Sequence, residues 1–245
     1  MLRNDKLKHN LKKNSFLLIR HGQSIWNHDS KFTGWTNIPL TDKGRNEAKK
    51  IAEILNEQNI KPNVIFSSVL NRAIETSNII KDNLEKKNID IYTSWRLNEK
   101  HYGKLEGMPR EYIRNEYGKK FTDMMRNNFY MKPPVIDIEN INDIRSKKYP
   151  AYKNCYFDTI KNGESKENVL QRFLPYYEND ILYTLSENKF PLIVTHKHCA
   201  RVLMKHLLKI NDDDFETYNL PEKKILHIFL DDDLNYIKHN NISYE

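Results

Sequence analysis

Four apolar residues in a row, Phe16 to Ile19, stand with polar sequence on both sides and lead directly into Arg20, His21 and Gly22. A short uninterrupted apolar run of this kind reads as a strand buried on both faces, which requires layers packed above and below it. The glycine marks a turn. In open α/β sheets ligands bind outside the carboxyl ends of the strands, so His21 lies where a reactive group belongs. A guanidinium can grip phosphate oxygens through two parallel hydrogen bonds, and an imidazole that is neutral near pH 7 can attack phosphorus through a ring nitrogen. The pair points to phosphate chemistry through a phosphohistidine. A single histidine after a strand is more often structural than reactive, so the rest of the chain has to carry that reading.

Strand candidates alternate with helical patterns, which predicts βαβ units and an α/β fold with a mostly parallel central sheet flanked by helices. Residues 42–57 have helical spacing, with Ala48, Ile51, Ala52, Ile54 and Leu55 on one side and Thr41 as N-cap. Val64 to Phe66 reads as a second strand ending at Ser67 and Ser68, with Arg72 in the first turns of the helix that follows. Ile91 to Thr93 reads as a weaker edge strand, and Leu192 to Val194 as a buried one that delivers Thr195 and His196. Two histidines thus end two strands. The 245 residues suit one large domain over 15–245, preceded by a basic tail at residues 1–14.

The ordered series RHGQSIWN (20–27), KFTGWTNIPLTDKG (31–44), SSVLNRAIET (67–76) and RLNEKHYGKLEG (96–107) resembles the cofactor-dependent phosphoglycerate mutases of the histidine phosphatase superfamily. The resemblance runs from about Phe16 to the end of the chain and is densest up to Gly107. It implies a three-layer sandwich in which His21 is the residue phosphorylated and Arg20, Arg72 and His196 hold the phosphoryl oxygens. Glu99 then matches the family's acid/base carboxylate, and an anionic phosphate beside it favours the protonated form that the role requires. By the same resemblance Tyr102, Ser24, Asn27, Thr33 and Gly34 contact substrate. Arg110 stands where the family has lysine, which keeps the charge and changes the geometry. Of the family's paired arginines Arg126 remains and Asn127 replaces the second; after the second catalytic strand Lys197 and His198 stand in place of Gly-Asn. His101 has no assigned role.

The resemblance also implies 2,3-bisphosphoglycerate as primer, no metal, and a homodimer or larger assembly. The favoured activity is interconversion of 3- and 2-phosphoglycerate. The runner-up is a phosphomonoester phosphatase using the same phosphohistidine, favoured by Asn127, Lys197 and His198, and the third reading is a catalytically weak binding protein. A net charge of +7 also suits nucleic acid. Much of that charge lies in residues 2–13, and no zinc-finger, basic-zipper or RNA-binding aromatic motif occurs, so a small phosphorylated substrate is the expected partner. No stretch approaches the roughly 20 apolar residues of a membrane span, the first residues lack a secretory apolar segment, and Cys155 and Cys199 form no disulfide or metal pattern. A reducing, cytoplasmic compartment is the expected location.

Overall fold

A computed structural model describes residues 14–135 and 163–245. The basic tail up to Lys13, Cys155 and residues 136–161 of the insertion at 108–161, whose resemblance to the family implies a substrate cover, fall outside these. Six strands form one sheet: β1 (Ser15–Arg20), β2 (Val64–Ser67), β3 (Asp90–Thr93), β4 (Pro191–Thr195), β5 (Lys224–Leu230) and β6 (Tyr236–Ser243). Their order is β3-β2-β4-β1-β5-β6. The first four pair in parallel and β5 and β6 add antiparallel. The helices are α1 (Ile25–His28), α2 (Asp42–Glu57), α3 (Asn71–Asn83), α4 (Arg110–Asn127), α5 (Lys166–Tyr176), α6 (Tyr183–Ser186), α7 (Lys197–Leu208) and α8 (Asp212–Thr217).

The pleat of β1 sends alternate side chains into two separate cores. Phe16 and Leu18 pack with Val169 and Phe173 of α5 and with Val202 and Leu203 of α7. Leu17 and Ile19 pack with Ala48, Ile51, Ala52 and Leu55 of α2 and with Ala73 and Ile80 of α3. Each of the four is at most 1 % exposed, and full burial of such a side chain stabilises by about 1.5–3 kcal/mol. The fold is thus the three-layer sandwich that the continuous apolar run requires. Helix α2 starts where its polar cap predicts, with the Thr41 hydroxyl accepting from the Gly44 N–H at 3.1 Å.

Register sets the site. Arg20 pairs with Thr195 across β1 and β4, and Ser67 with Val194 across β2 and β4, so the carboxyl ends of three neighbouring strands lie side by side. His21, His196 and Ser68 follow them directly. Gly22 serves close approach rather than an unusual dihedral: a Cβ there would stand 2.3 Å from the Gly44 carbonyl oxygen at the start of α2. Helix α4 is broken at Gly118, whose φ of +84° and ψ of 160° lie in a region open to glycine alone. Arg110 lies before that break and Arg126 after it.

Candidate active site

His21 and His196 stand with ring centroids 4.8 Å apart. The His21 Nδ1–H donates to its neighbour, the Gly22 carbonyl, at 2.7 Å. That leaves Nε2 as the ring's lone pair, and Arg72 Nε donates to it at 3.3 Å. Burial above all, then the positive charges of Arg72 and Arg20, holds the His21 pKa well below 6.5 against the pull of the Gly22 carbonyl. The imidazole is neutral near pH 7, its tautomer is fixed by the backbone, and its Nε2 lone pair is of the kind a nucleophile needs. Arg72 is itself locked: its two terminal nitrogens donate to the carbonyls of Thr36 at 3.0 Å and Gly34 at 2.8 Å.

His196, fully buried at the start of α7, has Nε2 2.7 Å from the Ser68 hydroxyl. Its Nδ1 has no hydrogen-bond partner among the described residues. Burial first, then Arg72, pushes its pKa well below 6.5 as well. Among the described residues the buried Nε atoms of Arg20 and Arg110 and the Thr33 hydroxyl likewise have no hydrogen-bond partner. Buried donors are normally satisfied, so this set has the hydrogen-bonding capacity to receive oxygens from a ligand.

His21, Arg20, Arg72, Arg110 and Thr33 line one or both of two adjoining spaces, with His196 and Ser68 behind them. A recess of about 40 Å³ is walled by Thr33, Gly34, Arg72, Glu99, Tyr102 and His198. A cleft of about 330 Å³ extends from it towards Glu47 and Tyr244. Arg20, His21, Asn27, Arg110, Arg126 and Lys197 belong to both. Burial, followed by repulsion from Arg126, lowers the pKa of both Arg110 and Lys197. So dense a cationic lining favours a ligand with more than one negative charge.

Glu99 is 9 % exposed and faces the recess. Its Oε1 accepts from the Lys100 N–H at 2.8 Å and from the His198 N–H at the start of α7 at 3.2 Å, a helix end that favours negative charge. Its Oε2 makes no hydrogen bond among the described residues. Lys100 is no ion-pair partner of that carboxylate: its ammonium donates to the carbonyls of Met125 at 3.0 Å and Met131 at 3.1 Å, and burial lowers its pKa to about 8. The Tyr102 hydroxyl lies 2.7 Å from His198 Nε2.

Ser24 and Asn27 cap α1 reciprocally; Asn27 also reaches the cleft, while Ser24 is buried in the cap. Four further residues shape the site without announcing themselves in sequence: Ser68, Glu106, Glu164 and Arg172. Glu106 accepts from the N–H groups of Trp35, Thr36 and Tyr102 and from the Thr36 hydroxyl, at 2.8 to 3.1 Å. It thereby folds the FTGW loop against the segment that bears Tyr102. Gly34 is needed at that junction, because its φ is +54° and a Cβ would stand 1.9 Å from Glu106 Oε1. Among the described residues no cluster of His, Cys, Asp and Glu has the makings of a metal site, and no helix is long and apolar enough to cross a membrane.

A neutral, buried imidazole among arginines at the carboxyl edge of such a sheet is the arrangement expected of an enzyme that acts on phosphate groups. The chain belongs to the histidine phosphatase superfamily (branch 1), whose model matches residues 16–155 and 137–243. It is 36% identical over 222 residues to the 2,3-bisphosphoglycerate-dependent phosphoglycerate mutase of Bifidobacterium longum (strain DJO10A), covering 91% of this chain and 88% of that one. With the enzyme of the same name from Haemophilus influenzae (strain PittGG) the identity is 34% over 223 residues, covering 91% and 97%. Among solved structures, a mycobacterial glucosyl-3-phosphoglycerate phosphatase superposes with a TM-score of 0.69 at 19% identity over 93% of this chain and 98% of that one. YhfR of Bacillus stearothermophilus does so with 0.69 at 24% identity over 94% and 98%. At such identities these two structures speak to the fold.

Proposed function

We propose that the protein interconverts 3-phosphoglycerate and 2-phosphoglycerate through a phosphohistidine on His21, primed by 2,3-bisphosphoglycerate. The observation that carries this reading is the cationic cleft beyond the nucleophile: Arg110 and Arg126 can hold a second anionic group while Arg20 and Arg72 hold the first. The partnerless Nε atoms of Arg20 and Arg110 and the Thr33 hydroxyl fit a bisphosphorylated three-carbon acid. When bound, 2,3-bisphosphoglycerate supplies the phosphoryl group that first loads His21.

In the transfer to the enzyme, the Nε2 lone pair of His21 forms the bond to phosphorus as the bond from phosphorus to the substrate oxygen breaks. Arg20, Arg72 and the Nδ1–H of His196 stabilise the charge on the equatorial oxygens. Glu99, through its unpartnered Oε2, gives a proton to the departing oxygen. In the return step Glu99 takes the proton from the attacking hydroxyl as the bond from His21 to phosphorus breaks. The cytoplasmic location and the homo-oligomeric working unit implied by the family resemblance go with this reading.

Hydrolysis of a phosphomonoester on the same His21 is the second reading, favoured by Asn127 and by the side chains of Lys197 and His198 at the recess. A mutase keeps water from phosphohistidine; a phosphatase admits it. Phosphorus NMR of purified protein with 3-phosphoglycerate, with and without catalytic 2,3-bisphosphoglycerate, separates them. Bisphosphate-dependent appearance of 2-phosphoglycerate is expected, and inorganic phosphate as the sole product would overturn the mutase reading.

A further inference from the structure

Residues 95–99 turn through a 3-10 helix at Trp95–Leu97 and into Glu99, so this buried segment has no strand partner for its carbonyl groups. Buried carbonyls must nevertheless be paired. Leu97 O accepts from the Thr195 hydroxyl at 2.7 Å, which ties the segment to the end of β4. The other four all accept from one side chain, Trp95 O in addition to its 3-10 bond from the Asn98 N–H at 2.9 Å. Arg172 donates through one terminal nitrogen to Trp95 O at 3.3 Å and Arg96 O at 2.5 Å, and through the other to Asn98 O at 2.8 Å and Glu99 O at 3.0 Å. Its Nε and second terminal nitrogen also engage Glu164 at 2.6 and 3.1 Å.

Glu164 completes the clamp from the far side of Glu99. Its Oε2 accepts from the His101 N–H at 2.9 Å, and its own N–H donates to the His101 carbonyl at 2.9 Å. The guanidinium also lies against the ring of Trp35, at 5.7 Å, and the Trp35 indole donates to the Glu99 carbonyl at 2.6 Å. Arg172 and Glu164 are 9 % and 0 % exposed, so the ion pair is desolvated and its geometry narrowly defined. Arg172 lines neither the recess nor the cleft; it holds the backbone that leads into Glu99, and Glu164 holds the backbone that follows it.

We propose that Arg172, oriented by Glu164, is the positioning residue that sets the Glu99 carboxyl against the oxygen it protonates. This rests on the acid/base role of Glu99 in the proposed function. A guanidinium has five donors in a rigid fork, whereas an ammonium has three on one atom, so lysine keeps the charge and loses the geometry. A misplacement of about 1 Å of a reacting group can cost roughly 100-fold in rate.

The test is Arg172→Lys, read by two rates. Conversion of 3-phosphoglycerate needs a proton delivered to an alkoxide oxygen. The burst of p-nitrophenolate from p-nitrophenyl phosphate reports phosphorylation of His21 with a leaving group that needs none. Conversion is expected to fall roughly 100-fold while the burst rate stays within about twofold of wild type. An equal fall in both rates would show a merely structural role, and two wild-type rates would show no role; either overturns the proposal. Glu99→Gln keeps the two questions apart. Wild-type conversion in that variant would sink the acid/base assignment itself, whereas a large loss there with wild-type conversion in Arg172→Lys sinks the positioning proposal alone. The double variant is expected to convert no more slowly than Glu99→Gln, and a multiplied loss would contradict the coupling. Should Arg172→Lys fail to fold, Glu164→Gln is read by the same two rates with the same expected direction.

Discussion

Replacing Ser68 with alanine should slow turnover through a residue that never touches substrate. The Ser68 oxygen accepts from the Leu70 N–H at 3.3 Å, which leaves its own proton for His196 Nε2 at 2.7 Å. An accepting Nε2 places the ring proton on Nδ1, where it has no other partner among the described residues and can meet a phosphoryl oxygen. Without the hydroxyl the two tautomers compete, and the wrong one turns a lone pair towards the oxygen. Serine and histidine are both fully buried, so the orphaned nitrogen costs about 1–3 kcal/mol. Expressed in the transition state this is roughly a 5- to 150-fold fall in kcat. Steady-state conversion of 3-phosphoglycerate measures it, with thermal unfolding confirming a folded variant. A folded Ser68→Ala protein turning over within twofold of wild type would refute the tautomer argument.

Other expectations follow from the same geometry. His21, His196 and His198 all have pKa values held well below 6.5, with burial the leading cause. The unfolded chain therefore binds protons that the folded one excludes, and stability, full above about pH 6.5, is lost as pH falls below it, by about 1.4 kcal/mol per pH unit for each histidine. Urea unfolding at pH 7.5 and 5.5 should show this slope, lessened by one histidine's share in His198→Asn; an undiminished slope in that variant would contradict the assignment. Glu106→Gln replaces an acceptor of four hydrogen bonds and should lower stability by about 2–4 kcal/mol and slow turnover through Gly34 and Thr36, the carbonyls that hold Arg72. Denaturant midpoints and kcat together test both effects. Restoring Asn127→Arg with Lys197→Gly should raise the ratio of isomer to inorganic phosphate by about tenfold, the worth of one weak charge-assisted contact, and an unchanged ratio would mean that these positions do not govern water.

What the sequence makes legible here is set by the range of the interactions. Strands β1, β2 and β4 and helix α2 are written in contiguous apolar runs and local caps, and the structure extends the predicted strands by a residue or two at their ends. The edge position of β3 shows in its short, weak run. Strand β6 does not, because Tyr236–Ser243 is a largely exposed edge with little apolar alternation. Histidines and arginines at strand ends are legible because the sheet's carboxyl edge is where ligands bind. Residues working at long sequence range are not. Nothing around Arg172 in its helix signals that the carbonyls it holds lie more than seventy positions earlier, and Ser68 meets His196 only once β2 and β4 pair. Glycine 22 illustrates a middle case: its presence marks the turn, but its reason, the approach of Gly44, is tertiary.

The phosphohistidine itself is the most direct object of measurement. Protein mixed with labelled 2,3-bisphosphoglycerate, quenched in alkali and mapped by peptide mass spectrometry, should carry acid-labile phosphate on the imidazole of His21. The label should disappear in His21→Gln with the fold intact. Absence of acid-labile phosphate from the wild-type protein, or its persistence in that variant, would contradict the assignment of His21 as nucleophile and the mechanism built on it.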